Sequence, residues 1–261
     1  SDLPVSPQVG CMLYHGFLLG RVQDLANLAA VIEMGSLRAK HSVAYRRYEG
    51  YVDSKSDCID SALIMEFAIE QMEKLGGKDN VKFREFLSSH NISEKRFLGA
   101  LALADSIKKR LPKNEAFDTL SLRQMRQCIL AGFGQNVFIK DKDQGCYYRA
   151  NNANDDIGIE TMFDLTPSST VKSEQEYVVG TLWTMSSDSN GMSTLIQHVT
   201  KVSISDIIDV LSMYEGKFDV KVTEKDKGSV VRISKTFNYY GVSAYAGSVN
   251  IAKEEAIQKA S

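Results

Sequence analysis

Tryptophan occurs once in the 261 residues, and proline, cysteine and histidine four times each. Cys11, Cys58, Cys128 and Cys146 are far apart, form no C-x-x-C pair and have only His15 near one of them, which argues against a zinc site or a disulfide framework. Charge of one sign is also missing. The 31 Lys and Arg against 33 Asp and Glu give a net charge of -2, which excludes a polycationic nucleic-acid coat and confines any such binding to a local patch. No apolar run reaches the roughly 18 residues of a membrane span, and no charged-then-apolar leader opens the chain, so an intracellular, cytoplasmic protein without membrane association is expected. Ser1-Asp2-Leu3-Pro4 reads as an internal segment of a longer protein. What is present is 43% hydrophobic residues, enough to fill real cores.

The two parts of the chain differ in charge and in period. Up to Lys140 there are 19 basic and 16 acidic residues, and from Asp141 onward 12 and 17, or +3 and -5. Val22, Leu25, Ala29 and Ile32 recur at spacings of three and four and predict a helix over 21–34, stopped by Gly35. Helices are also expected from Asp57 to Gly76-Gly77, around Phe83, Phe86 and Leu87, from an Asn91/Glu94 capping box to Pro112, and from a Ser121/Gln124 capping box through Phe133. Beyond Gly145 the period becomes two. Phe218, Val220 and Val222 alternate with polar residues, and Asp226-Lys227-Gly228 turns the chain into Val230. Further strands are expected at 146–149, 159–165, 177–185, 194–202 and 237–240, with a short helix at 205–211 capped by Ser203 or Ser205. The fold class is therefore α+β and multidomain, with a helical bundle over 1–140 and a small antiparallel β-barrel over 141–261.

Enzyme chemistry does not emerge. Gly76-Gly77-Lys78-Asp79 places an acid where a P-loop needs a hydroxyl, so the chain is not expected to bind ATP through this motif. Gly132-Phe133-Gly134 lies at a helix end rather than after a strand, and Gly191-Met192-Ser193-Thr194-Leu195 lacks the last glycine of a nucleophile elbow. His15, His41, His90 and His198 have no pairing that sequence reveals, and Asn91-Ile92-Ser93 reads as a cap rather than a glycosylation site.

Basic groups are more informative. Arg38, Lys40, Arg46 and Arg47 are interleaved with Tyr45 and Tyr48, a mix suited to holding phosphates and stacking a base, or simply to a solvated loop. Lys108, Lys109, Arg110 and Lys113 gather where a helix C-terminus favours cations. Arg123 and Arg126 are a turn apart on the helix that leads into the barrel, facing either a channel or solvent. Tyr147 and Tyr148 suit either a stacking platform or the barrel core.

Several stretches, in order, resemble one family. Leu3-Pro4-Val5-Ser6-Pro7 with Met12-Leu13, Leu28-Ala29-Ala30-Val31-Ile32, Asp57-Cys58-Ile59-Asp60, and the run from Arg123 through Gly132-Phe133-Gly134 to Val137 are similar to the helical region that follows the motors of DEAH/RHA-type helicases. Leu165-Thr166-Pro167-Ser168-Ser169, Tyr177-Val178-Val179-Gly180 and His198-Val199-Thr200-Lys201-Val202 are similar to stretches of that family's OB-fold. Thr166 stands where the family has histidine, and Gly180 where it has tyrosine.

The resemblance implies a degenerate winged-helix remnant and ratchet-like bundle, then an OB-fold with additional C-terminal strands. It further implies the accessory C-terminal region of an ATP-dependent DEAH-type helicase, lining a channel for single-stranded RNA or DNA. Its partners would then be that nucleic acid, the helicase motor domains and a protein activator. No cofactor is expected in this chain, ATP and Mg belonging to the motors. The contact residues expected are Arg38, Lys40, Arg123, Arg126, Ser168 and Ser169. The alternative reading is a protein-docking module built on the OB-fold, since the acidic second part discourages nucleic acid.

Overall fold

A computed structural model of the chain describes residues 3–38, 53–115, 118–150, 162–187, 191–213, 220–227, 230–239 and 242–252. Lys40, with Tyr45, Arg46, Arg47 and Tyr48, lies outside the described residues, as does Phe218. Among the described residues six α-helices precede the strands of a five-stranded barrel and a seventh follows them.

Every helix but the second, which continues from a 3-10 turn, begins where a short polar side chain takes over an orphan backbone donor. Ser6 caps α1 (Pro7–Leu18), whose first residue is a proline that has no N–H to satisfy. A 3-10 turn, Val22–Leu25, runs directly into α2 (Ala26–Met34), and Gly35 ends it at φ +76°. The single helix expected over 21–34 is thus a tight turn followed by a short α-helix. Ser56 caps α3 (Asp57–Lys74), Asn80 caps α4 (Val81–Ser89), and the Ser121/Gln124 capping box opens α6 (Leu122–Phe133). For α5 (Glu94–Lys108) the cap is Ser93, whose Oγ accepts from Arg96 N. The expected Asn91/Glu94 box does not form, because Asn91 takes a left-handed φ of +55° in the turn after α4. Helix α1 is not apparent from periodicity, as the helix has no charged residue on either face to set against its apolar ones.

Helices α1 and α6 meet closely because Gly132 offers no side chain. A Cβ there would come within 2.4 Å of Gln8 O and 3.1 Å of Met12 Cβ. Gly132 therefore serves helix packing within α6 rather than a dinucleotide loop.

The barrel consists of β1 (Val137–Lys140), β2 (Tyr147–Arg149), β3 (Met162–Leu165), β4 (Tyr177–Ser187) and β5 (Gly191–Val202). Its strands close in the order β1-β2-β3-β5-β4, and β4 returns to β1. This is a small five-stranded barrel of the OB-fold kind. The all-antiparallel barrel expected from the sequence needs one correction: β3 and β5 pair in parallel. A closed ring with an odd number of strands cannot alternate direction all the way round, so at least one neighbouring pair must be parallel. The β4–β5 ladder also breaks between Val179 and Thr181. A Cβ on Gly180 would meet Ile196 Cγ2 at 2.6 Å and Gln197 O at 2.9 Å, and His198 on the facing strand takes a φ of +55°. Glycine at this position is thus dictated by the bulge.

Alternation along the strands sends residues to two cores. Phe138, Tyr147, Phe163, Val178, Ile196 and Val199 fill the barrel. Tyr147 is a core residue and not a stacking platform: it is 1% exposed, donates to Ser173 O and Gln175 O at 3.0 and 2.9 Å, and burial pushes its hydroxyl up to about 12. Val137, Val179 and Val202 point the other way and join a continuous core built from the helices. Helix α7 (Ile204–Ser212) adds Ile207 and Val210 to that same core. Its cap is Ser203, with reciprocal bonds to Asp206 N and from Ser203 N to Asp206 Oδ2.

A separate antiparallel sheet follows, with β6 (Val220–Lys227), β7 (Val230–Tyr239) and β8 (Val242–Ala252) in sequence order. The expected hairpin is β6–β7, with Lys227 paired to Val230. Strand β8 is not evident in the sequence, its Ser243, Ala244, Gly247 and Ser248 being residues of low strand propensity.

Candidate nucleic-acid interface

The N-terminus of α3 fastens the helical block to the barrel. Ser56 Oγ lies 2.7 Å from Thr200 Oγ1, and Lys201 N donates to Lys55 O. Asp57 is the anchor. Its Oδ1 accepts from Ser169 Oγ at 3.1 Å, Thr170 N at 2.7 Å and Thr170 Oγ1 at 2.9 Å, while Oδ2 accepts from Val199 N at 2.9 Å. One carboxylate therefore fixes the loop after β3 and the bulged stretch of β5 together. Asp60, one turn on, is buried, and its bonds with Ser54 and Thr170 extend the cluster into the core. Burial pushes its carboxyl above the usual range, and those hydroxyls hold it partly back.

Above this seam the two units leave a cleft of about 330 Å³. The helical side provides Ser36, Arg38, Asp57, Ser61 and Arg96, the Asp57 carboxylate being engaged by the four bonds described above, and the barrel provides Thr166, Ser168, Trp183, Gln197 and His198. Arg38 reaches across, Nη1 donating to Ser168 O at 3.2 Å. Arg96 is braced from its own side by Nη1 donating to Ser36 O at 2.6 Å. The two guanidinium groups thus stand on one wall of the cleft. Trp183, from β4, remains 41% exposed although it is the chain's sole tryptophan. His198 is held by Thr181, whose Oγ1 lies 3.2 Å from its Nδ1. Burial lowers its imidazole below the ordinary range against the pull of Asp57, so it is neutral at physiological pH. Such a cleft combines cations, hydroxyls, an amide and an indole face, the equipment for a phosphate and a stacked ring.

Of the residues expected at a contact surface, the structure brings Arg38 and Ser168 together in this cleft. Ser169 sits beneath it, bound to Asp57. Arg123 and Arg126 lie elsewhere. Arg123 spans to α7, Nε donating to Asp206 Oδ1 at 2.9 Å and Nη2 to Asp209 Oδ2 at 2.8 Å. Burial alone would raise Asp206, but Ser203 and Arg123 outweigh it and hold its carboxyl below the usual range. Arg126 donates to Ser54 O at 2.9 Å, behind the seam. Both arginines bind parts of their own chain to each other.

Arg96, Trp183, Gln197 and His198 were not legible as site residues. A lone tryptophan in an alternating strand is the one available hint, because the outward position of such a residue signals a surface use. Among the described residues no group of His, Cys, Asp and Glu could hold a metal ion, and no helix is long and apolar enough to cross a membrane. Cys58 and Cys128 are buried, and burial pushes Cys128 up to about 12, so neither is a reactive thiol.

A scan against models of protein families finds no match, and a search of curated proteins finds none either. Among solved structures, the crystal structure of the E. coli DExH-box NTPase HrpB is similar to this chain, with 12% sequence identity and a TM-score of 0.43. The similarity covers 99% of this chain and 24% of HrpB, so the chain spans about a quarter of that protein's length.

Proposed function

We propose that this chain is the accessory, nucleic-acid-binding region of an ATP-dependent DEAH-type helicase, and that the cleft between helical block and barrel receives single-stranded RNA or DNA. The observation that carries the reading is the convergence of Arg38 and Arg96 from one side with Ser168, Trp183 and Gln197 from the other. The colinear resemblance of the motifs supports it, as does a barrel of the kind that often holds single strands. In this reading the guanidinium groups take phosphate, Ser168 donates to it, and the indole stacks on a base. ATP and Mg act in motor domains, and the chain itself performs no covalent step.

Two arginines release few counterions, so binding is weak and mildly dependent on salt, with a log–log slope of about -1.4 for a single strand. Fluorescence anisotropy with labelled oligo-U and oligo-dT between low and high salt measures this. Tight binding that ignores salt, or binding unchanged in an Arg38→Ala, Arg96→Ala variant, overturns the proposal.

A further inference from the structure

Helix α1 contains no Asp, Glu, Lys or Arg. Val9, Met12, Leu13, His15 and Gly16 are buried, and a Cβ on Gly16 would strike Leu25 Cδ1 at 2.3 Å. The opposite side is apolar yet bare: Pro7, Cys11, Tyr14, Phe17 and Leu18 form a stripe at helical spacing, all exposed. Tyr14 is 54% and Phe17 47% exposed, and their rings stack with centroids 6.4 Å apart. A helix with no charged face and a continuous exposed apolar stripe belongs under cover.

The stripe forms one bank of an open groove whose other bank is Leu111 and Pro112, just past the end of α5. Those two residues are flanked by Lys108, Lys109, Arg110 and Lys113, all exposed and, among the described residues, in no ion pair. Asp105 and Glu115 are the nearest carboxylates in sequence and Glu66 acts on Lys108, which leaves the four cations in excess and the bank net positive in a chain that is net negative. The C-terminal dipole of α5 accounts for Lys108, but Lys113 lies beyond Pro112 and off the helix.

We infer that this groove is a docking site for an amphipathic helix of a partner protein, its apolar face laid against Tyr14 and Phe17 and its acidic edge against the Lys108–Lys113 bank. The mode is helix-in-groove recognition, with apolar anchors spaced at i, i+3, i+4 and i+7 and with charge fixing the orientation. A concave trough between two banks suits inserted side chains better than the flat face of a bilayer, and its uncharged floor offers nothing to a phosphodiester.

The test uses the full chain and a fluorescein-labelled peptide of about 18 residues, long enough to be helical once bound, with Leu at the anchor spacing and Glu elsewhere. An order-scrambled peptide and one with Lys in place of Glu serve as controls. Saturable binding of the Glu peptide is expected, weakened about tenfold or more by Phe17→Glu and by Arg110→Glu with Lys113→Glu, and equally by either control. These positions are exposed, and circular dichroism confirms that each variant folds. Absence of saturable binding overturns the inference, as does equal affinity for the controls or indifference to Phe17→Glu. Anionic vesicles or single-stranded RNA that compete at the stripe more strongly than the peptide overturn it too. Oligonucleotide binding in the Arg38 cleft is measured separately, so failure here leaves that reading untouched.

Discussion

At the scale of single residues, the cleft depends on a few side chains whose surroundings differ sharply. Trp183 is exposed beside Thr166, Ser168, Gln197 and His198, so on the proposed reading it is the residue on which a base would have most to gain. Removing one stacking partner costs about 1–3 kcal/mol. Trp183→Ala should therefore weaken oligonucleotide binding by roughly 5- to 100-fold in anisotropy titrations while leaving the salt slope unchanged, since no cation is lost. Buried His15 is the opposite case. Desolvation lowers its pKa to about 4 from an ordinary 6.5, so the unfolded chain binds more protons between those values. Stability from this group is full above about pH 6.5 and falls as pH drops towards 4, by up to roughly 3 kcal/mol. Urea denaturation at pH 4.5 and 7 should show a smaller pH difference in His15→Leu than in the parent chain. Residue types alone told part of this. Arg38 and Ser168, singled out because cations and hydroxyls suit phosphate, do meet at the cleft, whereas Arg123 looks the same in sequence and is taken up by Asp206 and Asp209, which lie more than 80 positions away.

Elements meet at two points that single substitutions can probe. Helices α1 and α6 touch where Gly132 has no Cβ, so Gly132→Ala must push Gln8 and Met12 aside and should cost about 1–3 kcal/mol by thermal or chemical melting. At the seam, Asp57→Ala strands the Thr170 and Val199 amides, each an unsatisfied donor worth about 1–3 kcal/mol. Faster hydrogen exchange at those two amides, together with weaker oligonucleotide binding, is the expected result, because the loop carrying Ser168 loses its anchor. Helices with one clear apolar face, such as α3 and α5, are legible from period, although their caps, Ser56 and Ser93, are not. α1 and β8 were not, the former for want of polar contrast and the latter because its small residues favour no state.

Among the described residues, helical block and barrel are joined by a core that ignores the change from helix to strand. Val137, Val179 and Val202 of the barrel share it with α1, α2, α3, α5 and α6. Periodicity distinguished a helical part from a stranded one, but it shows only that a strand has an inner and an outer face, not that the outer face is roofed by helices. Helical block and barrel should accordingly melt together: calorimetry should give one transition with a van't Hoff enthalpy close to the calorimetric one for these two units. That common foundation also governs how the cleft admits anything. Jaws that grow from one solid root cannot gape without tearing Val137, Val179 and Val202 from their seats, so the aperture is a fixed gauge. On the proposed reading a strand would be admitted by calibre, arriving by diffusion and alignment rather than by waiting for a gate to swing.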